Sequence, residues 1–196
     1  LKYPNEQRND VVILGSIIPA SGPFENVGGT LTNAIQMAVG EYFDSARSLP
    51  SGQKIAWLQC DTTGDNEAAL KAARHLVRVG APAIIGPLRS GNYLDVVDQV
   101  TADAGVTTIA PAATSPAISN LEAAGDLSFR IIGNDRFQAR AILDRLETLL
   151  EGDSDPKVTV FYKKDQYGQD LESELLDLVL EANWIDRSNF AFLPTV

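Results

Sequence analysis

The chain has 196 residues, 26 acidic against 16 basic side chains and a formal charge of −10, with 44% hydrophobic and 21% charged residues. Such a length suits one large domain or two small ones and buries a respectable core. The acidic balance speaks against nucleic acid, which requires clustered lysine and arginine, and no apolar run reaches the roughly 18 residues of a membrane span.

Short apolar segments, largely β-branched, alternate with longer stretches of helical spacing. Residues 11–18 (VVILGSII) open the series as a strand buried on both faces. A loop rich in glycine and proline, 19–29, leads to a helix over 30–46, where Leu31, Ile35, Ala38, Val39 and Tyr42 form one stripe. Residues 54–60 (KIAWLQC) make the second strand, and 65–79 a helix that opens on a capping Asp65 with Glu67 in its first turn. Next come a strand at 82–86, a loop at 86–92, a helix at 93–104, a strand at 106–110 and a loop at 111–116. A polar connection, 119–129, runs into a strand at 128–132. A helix at 135–150, a strand at 157–162, a helix at 167–183 and a strand-like piece at 189–196 complete the chain. This alternation builds βαβ units and predicts a doubly wound α/β fold, a mainly parallel sheet with helices on both faces. Residues 1–130 read as a nearly complete lobe. Residues 131–196 read as the opening of a second, whose few elements make a poor independent core.

The lone cysteine, Cys60, excludes an internal disulfide and reads as a small residue closing a strand. His75 falls inside the second helix with no nucleophile near it, which suits a half-buried or surface side chain. Asp61 and Asp65 lie near a strand end, as a phosphoryl-transfer pair would, but a polar loop and a helix cap account for them more simply. No G-x-S-x-G elbow, Walker lysine loop or post-strand G-x-G-x-x-G is present, so the residues offer little to an enzyme and call for no metal or other cofactor.

In an open parallel sheet, ligands bind beyond the carboxyl ends of the strands, where strand order reverses. The loops 19–29, 86–92 and 111–116 leave such ends and are rich in Gly, Ser, Thr and Pro, whereas RSLPSGQ and RVGAP at the opposite end resemble plain turns. A glycine-bearing loop that feeds a helix N-terminus presents free N–H groups and a positive dipole end, which suit an anion. Ser90 adds a hydroxyl there and Gly91 permits close approach. Thr114 offers a second hydroxyl and an N–H, and the Ala112 carbonyl could accept from a cationic group. The plainer alternative makes Ser90 a helix N-cap and AATSP an ordinary turn. Their gathering at one sheet edge favours a site.

The stretches IIPASGPFENVGG, AIIGPLRSG, AGVTTIAPAATSPAIS, SFRIIGND and KVTVFYKKDQYGQDLESELLDLVLEA, in this order and approximate spacing, resemble the type I periplasmic binding proteins. Within that family the resemblance is to the branched-chain amino-acid-binding branch of ABC-transporter substrate-binding proteins, and it spans nearly the whole chain. It implies two flavodoxin-like α/β lobes with a ligand clasped between them, the second lobe incomplete here because members are about twice this long. It further implies that Ser90 and the Thr114 N–H hold the ligand's α-carboxylate, that the Ala112 carbonyl and Thr114 hydroxyl receive an α-ammonium, and that Tyr167 closes over the ligand. Arg89, Gly91 and Ala113 join the implied lining. Val27 stands where close amino-acid-binding relatives often carry an aromatic side chain, and Gly64 and Arg89 stand roughly where some carry a cysteine pair. The expected role is a non-catalytic, periplasmic or extracellular receptor that hands an amino acid or similar small polar ligand to a membrane permease. It would bind no nucleic acid and insert no segment of this chain into the membrane. A ligand-sensing domain of a larger receptor or regulator is the alternative.

Overall fold

In a computed structural model, which describes residues 10–45, 49, 52–182 and 187–195, strands and helices alternate in the expected order. The chain divides into two units, one of residues 1–113 with 121–131 and the other of 114–120 with 132–196. The sequence suggested one continuous division near residue 130; here the main crossing follows Ile131, and 114–120 makes an additional excursion into the second unit.

The first unit carries β1 (Val11–Ile17), α1 (Glu25–Asp44), β2 (Lys54–Cys60), α2 (Asn66–Arg78), β3 (Ala83–Ile85), α3 (Ser90–Val96), β4 (Thr107–Ala110) and β5 (Ser128–Arg130). Its sheet runs β2-β1-β3-β4-β5 with every neighbouring pair parallel. The chain steps outward from β1 to β2, then returns to the other side of β1 for β3. Strand order therefore reverses between β1 and β3, which makes their carboxyl ends the place where such a sheet opens a crevice.

Ile17, Ala69, Ala73, Leu76, Ile84 and Val96 are fully buried in the core that joins this sheet to α2 and α3. Alanine at 69, 72 and 73 lets α2 lie close to the strands, and Asp65 starts the helix by accepting the Ala68 N–H at 2.8 Å. Tyr93 of α3 is also fully buried. Its hydroxyl reaches the carbonyls of Thr108 (2.8 Å) and Phe129 (3.1 Å) and Ser128 Oγ (3.0 Å), so one side chain joins α3 to both β4 and β5. Burial raises the pKa of that phenol and keeps it neutral.

The second unit holds α4 (Asp135–Leu149), β6 (Val158–Lys163), α5 (Gln166–Ala182) and β7 (Phe190–Thr195), with β6 and β7 parallel. Ala139 and Leu143 of α4, Leu175 and Val179 of α5 and Phe190 of β7 form its core.

Several boundaries differ from expectation. The loop predicted at 19–29 is shorter: Gly22–Phe24 form a 3-10 turn with proline in its first positions, and α1 begins at Glu25. Val27, Gly28 and Gly29 are thus helical, and the glycine pair is not a breaker. A β-carbon on Gly28 would run into the carbonyl of Pro19, so glycine is what lets α1 lie against the chain leaving β1. Likewise α3 begins at Ser90, three residues early, with Arg89 in the extended N-cap position (φ −85, ψ 141). Ser90 is not the cap. Beyond Val96 the helix widens into a π turn over Val97–Thr101, where Thr101 accepts a buried 2.8 Å hydrogen bond from Thr108 Oγ1. The 119–129 connection lies largely in 3-10 turns, Pro116–Asn120 and Glu122–Leu127. The predicted helix ends at Ala46 and Asn183, part of the RSLPSGQ turn, and Val196 lie outside the described residues. Among the described residues, no helix is long and apolar enough to cross a membrane.

Candidate functional site

The carboxyl edge of the first unit's sheet is built by the chain leaving β1, β2, β3 and β4. Past β2, the Asp61 carboxylate accepts the N–H groups of Ala20 (2.8 Å) and Thr63 (2.9 Å) and the Ser21 hydroxyl (2.6 Å), which ties the loop after β1 to its own. Asp65 is the cap of α2. The two carboxylates thus have separate structural duties, in line with the simpler of the two readings. Cys60 is half-buried at the end of β2, where burial raises the thiol pKa and keeps it a poor nucleophile. His75 is half-buried on α2, 3.4 Å from Arg78. Among the described residues, no three His, Cys, Asp or Glu side chains are placed to hold a metal ion.

The Ser21 hydroxyl, followed by the Thr63 N–H, holds the Asp61 carboxyl below its ordinary pKa of 3.8. A depressed folded-state pKa contributes stability that is present above the unfolded value and is lost as pH falls through the folded one. Asp61→Asn should therefore melt below wild type at neutral pH, with the gap closing below about pH 4. Melting curves that stay parallel down to about pH 2 would contradict this role for Asp61.

Past β3, Gly86 has φ +105 and donates its N–H to the Ile109 carbonyl at 2.8 Å. A β-carbon there would strike the carbonyl of Ile17. The edge between β1, β3 and β4 is closed so tightly that only glycine fits. Arg89 and Ser90 follow after Pro87 and Leu88, with Ser90 buried as the first residue of α3 and Gly91 next to it inside the helix. Past β4, Ala112 is half-buried and Ala113 buried. Val27, on the opening turn of α1, is 50% exposed. All of these belong to the first unit.

Thr114 and Tyr167 belong to the second. The Thr114 carbonyl accepts the N–H of Asp135, the first residue of α4, at 3.0 Å. Tyr167 lies at the start of α5, and its hydroxyl accepts a 3.0 Å bond from the Gln138 amide of α4. Gly168 follows because a β-carbon there would run into the carbonyl of Lys163. Asp165 accepts the Gly168 N–H at 3.1 Å and pairs with the Lys163 ammonium at 2.8 Å. The DQYG turn thereby holds the Tyr167 backbone on the end of β6.

Sequence reading missed Phe24, Gly64 and Asn92. Arg89 Nη1 donates to the Gly64 carbonyl at 3.0 Å and its guanidinium lies 5.4 Å from the centre of the Phe24 ring, while Asn92 donates to the same carbonyl at 3.2 Å. The only sequence signal was the placing of Gly64 and Arg89 where some relatives of the resembled family pair cysteines.

A family model described as periplasmic binding protein matches residues 11–183. The chain belongs to this family. This periplasmic binding protein is 29% identical over 160 residues to the Leu/Ile/Val-binding protein BraC3 of Rhizobium johnstonii, an alignment covering 82% of the chain and 41% of that relative. It is 30% identical over 161 residues to Leu/Ile/Val-binding protein homolog 3 of Brucella melitensis, again 82% of the chain and 41% of the relative. The chain thus spans less than half the length of the curated relatives it matches. Among solved structures, the branched-chain amino acid transporter substrate-binding protein LivJ of Streptococcus pneumoniae, in complex with isoleucine, superposes with a TM-score of 0.73 at 21% identity, covering 95% of this chain and 50% of that one. A solute-binding protein of an ABC transporter from Rhodopseudomonas palustris, in complex with 3,4-dihydroxybenzoic acid, gives 0.75 at 18%, covering 94% and 47%. Both show the same fold.

Proposed function

We propose that this periplasmic binding protein serves as an extracytoplasmic receptor that binds an amino acid or a similarly small polar acid for an ABC-transporter permease. The observation that carries the reading is the β1/β3 edge, where a glycine that admits no side chain, Gly86, leads into the buried Ser90 at the head of α3. The names of the Rhizobium and Brucella relatives point to branched aliphatic amino acids.

In this reading the Ser90 hydroxyl and Thr114 N–H take the carboxylate, the Ala112 carbonyl and Thr114 hydroxyl take the ammonium, and Tyr167 closes on the bound molecule. Gly91 and Ala113 shape the lining, and Arg89 acts through its neighbour Ser90. Val27 leaves more room than an aromatic ring would, so the side chain accepted is set partly there. The work is binding and release, driven by differential ligand contacts with two conformations.

A thermal-shift screen of the twenty amino acids and 3,4-dihydroxybenzoate at ~1 mM tests this. A ligand of Kd about 10 μM would stabilise the protein by roughly 2.7 kcal/mol, several degrees of melting temperature. Shifts confined to leucine, isoleucine and valine would support the aliphatic class; a response to the aromatic acid alone, or to nothing, would overturn the amino-acid reading.

A further inference from the structure

We infer that Arg89 is a positioning residue that clamps together three segments of the carboxyl edge and so fixes the neighbouring Ser90. Its backbone supplies the extended N-cap of α3, and its carbonyl accepts the Tyr93 N–H at 2.9 Å. The side chain leaves α3 for the β2–α2 turn, where Nη1 donates to the Gly64 carbonyl at 3.0 Å. The guanidinium also covers the ring of Phe24, the residue before α1, at 5.4 Å from its centre. One turn further along, Asn92 Nδ2 donates to that Gly64 carbonyl at 3.2 Å and to the Asp65 carbonyl at 3.4 Å.

The receiving side is equally specific. Gly64 sits at φ +84, and a β-carbon on it would press on the Phe24 ring, so no other residue presents this carbonyl while leaving the ring in place. A charged donor binds a carbonyl more strongly than a neutral one, and a guanidinium plane can stack on a ring while one edge donates. A lysine ammonium, a compact point charge, does not reproduce both contacts. Arg89 thus joins the approaches to α1, α2 and α3. Its effect on ligand binding, which rests on the receptor reading above, passes through Ser90.

Hydrogen–deuterium exchange of the ligand-free protein tests the clamp without requiring any ligand. Arg89→Ala and Arg89→Lys should both accelerate exchange about 10-fold or more at the amides of 20–24, 61–65 and 89–93, with α4 and α5 unchanged. Phe24→Leu, a milder change, should give a smaller acceleration in the same segments. Unchanged exchange, acceleration spread evenly over the chain, or full retention of protection by the lysine variant would overturn the proposal. Calorimetry with L-leucine separates the two claims: about 10-fold weaker binding by Arg89→Ala supports positioning, and unchanged affinity refutes it. Local acceleration in a protein whose wild type does not bind leucine would leave the clamp standing and remove the leucine reading.

Discussion

Gly86→Ala should destabilise the first unit by about 3 kcal/mol or more. A non-glycine residue at φ +105 is strained by about 1–3 kcal/mol. Overpacking adds about 1–3 kcal/mol, and the atom struck is the carbonyl of Ile17, part of the backbone at the end of β1. A flexible side chain could swing aside, but this carbonyl can retreat only if β1 moves. Gly86 itself is pinned from the other side by its hydrogen bond to Ile109 of β4. Gly80→Ala is the control, since Gly80 has φ +80 with nothing within 4 Å of its would-be β-carbon. Chemical denaturation of both variants isolates the clash from the backbone strain. Equal losses would mean that the chain past β3 is not packed as tightly against β1 as described.

Ser90→Ala should weaken binding of the proposed amino-acid ligand by about 1–3 kcal/mol, roughly 5- to 150-fold in Kd. The proposed ligand group at Ser90 is a carboxylate, and a donor removed from a charged acceptor leaves that acceptor desolvated without compensation. Ser90 is the first residue of α3, so its replacement keeps the helix and its dipole while deleting one hydroxyl. Because the side chain is buried, the melting temperature of the unliganded variant is measured alongside the calorimetric titration with L-leucine. Weakened affinity with little change in melting supports a ligand contact. Unchanged affinity takes Ser90 out of the site.

The order of strands and helices was legible because each is a periodic local pattern. The apolar runs that became β1, β2 and β6, and the spacing and capping aspartate of α2, carry their signal within a few consecutive residues. The start of α1 was not legible, since glycine inside a helix is ordinarily costly and Gly28-Gly29 therefore reads as a loop. Its justification is the Pro19 carbonyl against which α1 packs, a contact that exists only after the chain has folded. Ser90 was legible as a site candidate from its place after a glycine-bearing strand end, though as a possible cap; the backbone gives that position to Arg89.

The sequence by itself determined the α/β class, the single-sided distribution of glycine, serine and threonine among the loops, and the edge of the sheet here proposed for a ligand. Those properties are periodic or compositional and survive in one dimension. Only the tertiary structure decided that Asp61 binds the loop after β1, 41 residues away, and that Arg89 reaches Gly64, 25 residues away, across the ring of Phe24. Such contacts depend on which strands become neighbours. The placing of β1 between β2 and β3 makes those distant loops neighbours along that edge, and no local pattern in the chain records it.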